Sequence, residues 1–395
     1  GSKIELVSKQ GNILSNEIIS FTGAIDDFTK EEPLLDIYLK TNSSLDKMLD
    51  AINNSPVKKV MKGTSHAMKG SGLGQLDLML SIPLKDPEAI RYTGSYLFNE
   101  SSMENQDIDL PLLSNIKGKL IFDDDGISLN NGRATLFDQP LEISIKNKNK
   151  AIVMNLSGTF DSKFLSTRLG DEWSNNIQGH TEWQGKLTLS DKESELFLSS
   201  NLNGLEINSM YDLNKGKDEL IQFQLKKRTP ESSIDYIDMT YGEIIKAKFI
   251  RESDNKIKRG FIGVNATPSM PDSGVVLNAN LDFFDTKNIK FLFDQNNQNE
   301  NINKKIPHKS LIDKVILNID ELMIKGNRIT NAFINYIPTM DGSNTRIDSR
   351  EVIGDISWSR SDKVYKLNFS KMHLMRKEND SKNIQSILLS FIVFS

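Results

Sequence analysis

Leu76, Leu78, Leu80, Ile82 and Leu84 share one parity, and Asp77, Met79, Ser81 and Pro83 take the other. Period two over such a stretch predicts a strand with one aliphatic side. The same alternation returns at Leu35, Ile37 and Leu39, at Ile90, Tyr92, Tyr96 and Phe98 around Gly94, and at Leu120 with Phe122. It continues through Ile127 with Leu129, Leu141 with Ile143 and Ile145, Leu187 with Leu189, Leu196 with Leu198, and Ile221 with Phe223 and Leu225. Later examples are Val275 with Leu277, Ala279, Leu281 and Phe283, Val315 with Leu317 and Ile319, Ile356 with Trp358, and Tyr365 with Leu367 and Phe369. Short breaks rich in Asp, Asn and Gly separate these segments, the pattern of an extended antiparallel meander.

Helical spacing is rare. Residues 44–53 carry Leu45, Met48, Leu49 and Ile52 three and four apart behind Ser44, which predicts a short helix that Pro56 ends. Residues 160–169 repeat the pattern with Phe164, Leu165 and Leu169. Two polar tracts, 295–305 and 376–383, read as flexible loops. No composition change marks a boundary, so residues 1–395 read as a single elongated β body. The longest apolar run, Ile387 to Phe394 with Ser390 inside it, falls short of the roughly 20 residues of a spanning helix.

Charge and chemistry exclude more than they propose. A net charge of −4 with interspersed Lys and Glu gives no stripe for nucleic acid. The absence of cysteine removes disulfides, thiolate nucleophiles and cysteine zinc sites. His66, His180, His308 and His373 have no metal-binding spacing. Gly70, Gly72 and Gly74 lack the following helix and the Gly-Lys-Ser/Thr of a phosphate loop, and read as a flexible turn before a strand. Asp123-Asp124-Asp125-Gly126 lacks the alternating acids and the distant Glu of a calcium loop and reads as a hairpin turn. The SxxK spacing of Ser55 to Lys58 has no SDN or KTG companion and recurs at Ser114 to Lys117. No catalytic residue, metal or cofactor is assigned.

In order along the chain, GSGLGQLDLMLSIPL, IRYTGSYLF and LLSNIKGKLIFDDDGISLNNGRATLFDQPLEISI resemble the recurring pattern of the large AsmA-like proteins of the YhdP type. HTEWQGKLTLSDKESELFLSSNLNGLEI resembles a later segment of that family, and VILNIDELMIKGNRITNAFINY with VIGDISWSR a third. The resemblance covers roughly residues 20 to 375. It departs after Gly204-Leu205, where the family continues with a Leu-Pro pair before Gly-Lys and this chain has Asn208 to Lys215.

The resemblance implies a middle piece of a larger periplasmic protein, anchored in the inner membrane by an N-terminal helix outside this sequence. It implies a mainly β fold, a long, strongly twisted antiparallel sheet curled into an open groove with a few short helices. That groove would carry phospholipid acyl chains between inner and outer membranes, which the missing terminal parts would reach. The groove candidates are Leu76, Leu78, Leu80, Ile82, Leu84, Tyr92, Tyr96, Phe98, Leu120, Phe122, Leu187, Leu189, Leu196, Leu198, Ile221, Phe223, Leu225, Leu277, Leu281, Phe283, Leu317 and Ile319. Their aromatic members read equally as core fillers. The pattern alone also fits a β-sandwich, whose leucine side packs on a second sheet. A non-catalytic periplasmic scaffold that binds envelope proteins, and a carbohydrate-binding β fold, are the other functional readings.

Overall fold

The computed structural model describes residues 2–13, 16–54, 67–105, 110–148, 151–169, 176–208, 213–231, 234–252, 256–267, 269–286, 312–324 and 326–373. The protein is mainly β, with twenty-three strands and two short α-helices among these residues. They divide into two compact units, one of residues 1–160, 182–199 and 228–231, the other of residues 161–181, 200–227 and 232–395.

The first unit contains β1 (Ile4–Ser8), β2 (Asn12–Ile13), β3 (Asn16–Ile25), β4 (Leu34–Ser44), β5 (Met68–Pro83), β6 (Arg91–Asn105), β7 (Leu110–Asp123), β8 (Gly126–Leu136), β9 (Gln139–Lys148) and β10 (Ala151–Asp161). From β3 to β10 each strand pairs antiparallel with the next, and β1 and β2 both pair with β3. The turns explain the order. Asp123 pairs with Gly126, and its Oδ1 accepts from the backbone N–H groups of Asp125 and Gly126, both at 3.0 Å. This closes the expected hairpin. Phe137 and Asp138, both with positive φ, form the two-residue turn from β8 to β9.

The glycine-rich stretch is not a turn before a strand. Gly70, Gly72 and Gly74 all lie inside β5, which starts at Met68. A Cβ on Gly70 would sit 2.6 Å from Leu45 Cγ, and one on Gly74 2.5 Å from Tyr96 Cζ. Gly72 has φ +96°, and the register with β6 shifts between Ser71 and Leu73. Glu100, Asn115 and Asn131 also take positive φ at register shifts in β6, β7 and β8. This is a line of β-bulges across neighbouring strands. Each extra residue flips parity, so that Met103, Leu113 and Leu136 beyond the line join the apolar cluster of Tyr96, Leu120 and Leu129 before it.

Helix α1 (Leu45–Asn53) follows β4 directly and buries Leu45, Met48 and Leu49, as the spacing predicts. Helix α2 (Ser162–Leu169) starts two residues later than expected, because Phe160 and Asp161 still belong to β10 and Asp161 Oδ1 caps the helix by accepting from Phe164 N at 2.7 Å. The tracts 295–305 and 376–383, Pro56 and the run from Ile387 to Phe394 lie outside the described residues.

After the first ten strands come β11 (Ile177–Leu189), β12 (Glu193–Ser200), β13 (Leu205–Ile207) and β14 (Phe223–Pro230). The second unit continues with β15 (Asp235–Tyr241), β16 (Ile245–Arg251), β17 (Ile257–Val264), β18 (Gly274–Asp285), β19 (Lys314–Ile324), β20 (Asn327–Thr339), β21 (Gly342–Asp348), β22 (Val352–Ser359) and β23 (Val364–Met372). Here the antiparallel expectation needs one correction: β17 with β18, and β18 with β19, are parallel. The link from Val264 to Gly274 runs back along the six-pair ladder of Arg259 with Gly274 to Val264 with Ala279. That return of about 17 Å is within reach of so short an extended segment. A Cβ on Gly263 would meet Ala266 O at 2.8 Å, so glycine lets the link pass close. Strand direction is invisible to a period-two pattern, which reads the same both ways.

Candidate functional site

Register converts the aliphatic parities into rows. Thr41, Leu76, Tyr96, Leu120, Leu129, Ile145 and Met154 lie directly opposite one another from β4 to β10. Beside them run Leu39, Leu78, Gly94, Phe122 and Ile127, and then Leu6, Gly23, Ile37, Leu80 and Tyr92. Opposed residues in a ladder share a side, so the predicted positions among these stand on one side of the first unit, together with Leu6, Gly23, Thr41 and Met154, which the pattern did not single out. Ile82 joins them opposite Leu35. Phe98 faces Gly74 and Gly118 across its two neighbours. Leu187 opposes Leu196 and Gly185 opposes Leu198, and these leucines with Leu189 belong to the same apolar cluster.

Exposure along these rows is graded. Leu6 is 62% exposed, Leu80 is intermediate, and Tyr92, two strands from β4, is 8% exposed. Tyr96 is fully buried at 0%. Ile4, also on β1 and opposite Ile25, is 52% exposed, and Leu84 just past β5 is 40% exposed. The apolar side is therefore covered at β6 to β10, half-buried along β5 and open at β1, while Gly23 on β3 and Leu39 and Thr41 on β4 are buried.

Helix α1 accounts for part of the cover. Its buried residues join the cluster of Tyr96 and Phe98. The Tyr96 hydroxyl donates to Ser43 O at 2.9 Å, just before the helix. Burial, with a smaller contribution from Asp46, pushes the Tyr96 phenol up to about 12. The neutral phenol is the form that donates, so this stabilisation is complete below pH 10, the unfolded value, and is lost as pH rises from there through about 12. Tyr96→Phe should cost about 1–2 kcal/mol in urea unfolding, because a buried carbonyl loses its donor. A cost within error of zero would show that Ser43 O finds another partner.

In the second unit the candidates scatter more. Ile221 is buried but precedes β14, with its N–H donating to Asn201 O at 3.0 Å. Phe223 packs on a small cluster of Ile177, Leu202 and Leu205. Leu225 is half-buried on β14. Leu277 opposes Val315, and Leu281 opposes Ile319, whose partner on β20 is Ala332. Phe283 departs from expectation: it is 50% exposed and opposes Glu321, whereas Phe284 is 3% exposed. The buried side changes in three adjacent strands at one level, between Leu281 and Phe284, Ile319 and Leu322, and Ile329 and Ala332. A strict period-two reading of β18 therefore selects the wrong phenylalanine.

Sequence reasoning also missed the centre of this unit's core. Leu322, Ile324, Ile329, Ile334, Ile347 and Val352 are all at 0% exposure. Ile334 opposes Leu317 and Ile347. Isolated isoleucines among polar residues, as in β21 (GSNTRID), carry too little alternation to be singled out.

The described polar groups build no recognisable catalytic or metal centre. Lys117, in the second SxxK, pairs with Glu100 at 3.0 Å, while Ser55, Lys58, His66 and His308 lie outside the described residues. Among the described residues, no three His, Cys, Asp or Glu side chains are grouped to hold a metal. Lys215 is buried at 1% exposure and donates to Leu205 O at 2.7 Å and Gly216 O at 3.0 Å. It ties down the segment after β13. Desolvation lowers its pKa.

The candidate surface is thus a set of mostly apolar side chains in register from strand to strand. A family model described as YhdP protein matches residues 1–387. The chain belongs to the YhdP family. That match takes in both units and every groove candidate. Comparison with curated proteins and with solved structures returned no match. Among the described residues of this YhdP-family chain, no helix is long and apolar enough to cross a membrane.

Proposed function

We propose that the chain holds phospholipid acyl chains along the apolar side of its sheets, as a section of a non-catalytic periplasmic protein that carries lipid between inner and outer membranes. Membership of the YhdP family supports this reading at the level of a bridge-like lipid transport family. The observation that carries it further is the row of Leu6, Ile37, Leu80 and Tyr92, in register and open to solvent at its β1 end. An apolar sheet side left open is costly in water, and each methylene laid on it contributes about 0.8 kcal/mol. Strands about 4.8 Å apart place one aliphatic group after another under a chain that crosses them. No single position then dominates, and a lipid slides.

Extraction of the purified protein with organic solvent, followed by mass spectrometry, tests the reading against a similar-sized sheet protein handled identically. Phospholipid near one or more molecules per chain is the expected result. Lipid at the control level would instead favour a scaffold that binds envelope proteins.

A further inference from the structure

The polar side of the first unit holds a cavity of about 620 Å³, within the size range of sites for small organic ligands. It crosses β8 to β12, and its lining includes Arg133, Glu142, Asn155, Gln184, Lys186 and Phe197. Arg133 opposes Glu142, whose other partner is Ser157, and Lys186 opposes Phe197. A Cβ on Gly185 would sit 3.3 Å from Leu156 Cβ, so β11 lies beside β10 here. These lining positions alternate with Ala134, Leu141, Leu156, Trp183, Leu187 and Leu198 of the apolar cluster, which places them on the opposite side from the apolar rows.

The five polar side chains are exposed, and among the described residues none of them has a hydrogen-bond or ion-pair partner. They carry two cations, one anion and two amides, so donors and acceptors are both on offer and neither sign of charge dominates. Strand β9 is bonded on both sides, which leaves an extended peptide no backbone groups to pair with there. Phe197 stands apart from the polar lining: it is half-buried, on the parity of β12 that otherwise carries Glu193, Glu195 and Ser199. Hydroxyl groups at the edges and an apolar ring face, combined in one ligand, are the chemistry of a pyranose. The strands also stand about 4.8 Å apart, close to the repeat of an extended chain of such rings, so successive rings meet successive strands.

We infer that this cavity binds a neutral oligosaccharide, an extended chain of pyranose rings that crosses β8 to β12 with one ring stacked on Phe197. Asn155 and Gln184 each donate and accept through the amide, while Glu142 and the two cations hold hydroxyls by charge-assisted hydrogen bonds. The site is independent of the lipid reading, because the two surfaces lie on opposite sides of the same strands.

Isothermal titration calorimetry of the full 395-residue chain with cellotetraose and with tetra-N-acetylchitotetraose tests the site. Saturable binding of at least one of the two is expected, at one site per chain and with a dissociation constant in the micromolar to millimolar range. Phe197→Ala and Asn155→Ala should each weaken it about fivefold or more, the scale of one aromatic contact or one hydrogen bond, and Phe197→Tyr should retain it. Circular dichroism melting curves report whether the variants are folded; if Phe197→Ala is not, the exposed positions decide through Asn155→Ala and Gln184→Ala. No saturable heat with either tetrasaccharide overturns the inference. Undiminished binding by the folded variants puts the sugar elsewhere and overturns this site. Displacement of the bound sugar by inorganic polyphosphate, reversed at high salt, makes the cavity an anion site and overturns the neutral assignment.

Discussion

Replacing Leu78 and Leu80 together with Asp should leave the protein folded and largely free of co-purified phospholipid. Both side chains are half-buried on β5, so a carboxylate there reaches water and stays charged. Leu78 lies opposite Leu39 and Gly94, and Leu80 opposite Ile37 and Tyr92. Two carboxylates therefore enter the half-buried stretch of the apolar rows, between Leu39 on β4 and Tyr92 on β6. An acyl chain crossing that point would have to strip water from two ions, which costs several kcal/mol per ion against about 0.8 kcal/mol for each methylene buried. The ions win over any short stretch of chain. The measurements are lipid content by mass spectrometry and the circular dichroism melting curve. A folded double variant with undiminished lipid would mean that β5 does not lie on the lipid path.

Ile334→Ala should destabilise the second unit by about 2–5 kcal/mol, the usual range for truncating a fully buried isoleucine. Ile334 is at 0% exposure and opposes Leu317 on one neighbour and Ile347 on the other. Strands held on both sides by continuous ladders relax little into the space left behind, so the upper half of the range is expected. Urea unfolding reports the value. A loss below about 1 kcal/mol would contradict the close packing of this row. Unlike the β5 double variant, this one acts on stability and leaves the open apolar side of the first unit unchanged.

Much of the local structure was legible in the chain. The β5 alternation, the hairpin at Asp123 to Gly126 and helix α1 behind Ser44 all follow from side-chain period, turn chemistry and spacing within a few residues. The glycines were read less well. Gly70 and Gly74 are small because Leu45 and Tyr96 lie on them, and both of those neighbours come from elsewhere in the chain. A sequence window that contains only the glycines has no sign of either.

The sequence by itself determined that this protein is built of strands with one aliphatic side, where most of them turn back, and which side of β5 is apolar, since these depend on parity and on residues a few positions apart. Only the tertiary structure decided which leucines stand in one row, where the bulge line from Gly72 to Asn131 reverses parity, that β17 to β19 run parallel, that Phe284 and not Phe283 is buried, and that Glu142, Asn155 and Phe197 line one cavity. The physical reason is range. Parity is carried by neighbours in the chain, whereas register, direction and the meeting of side chains are set by hydrogen bonds and packing between distant segments.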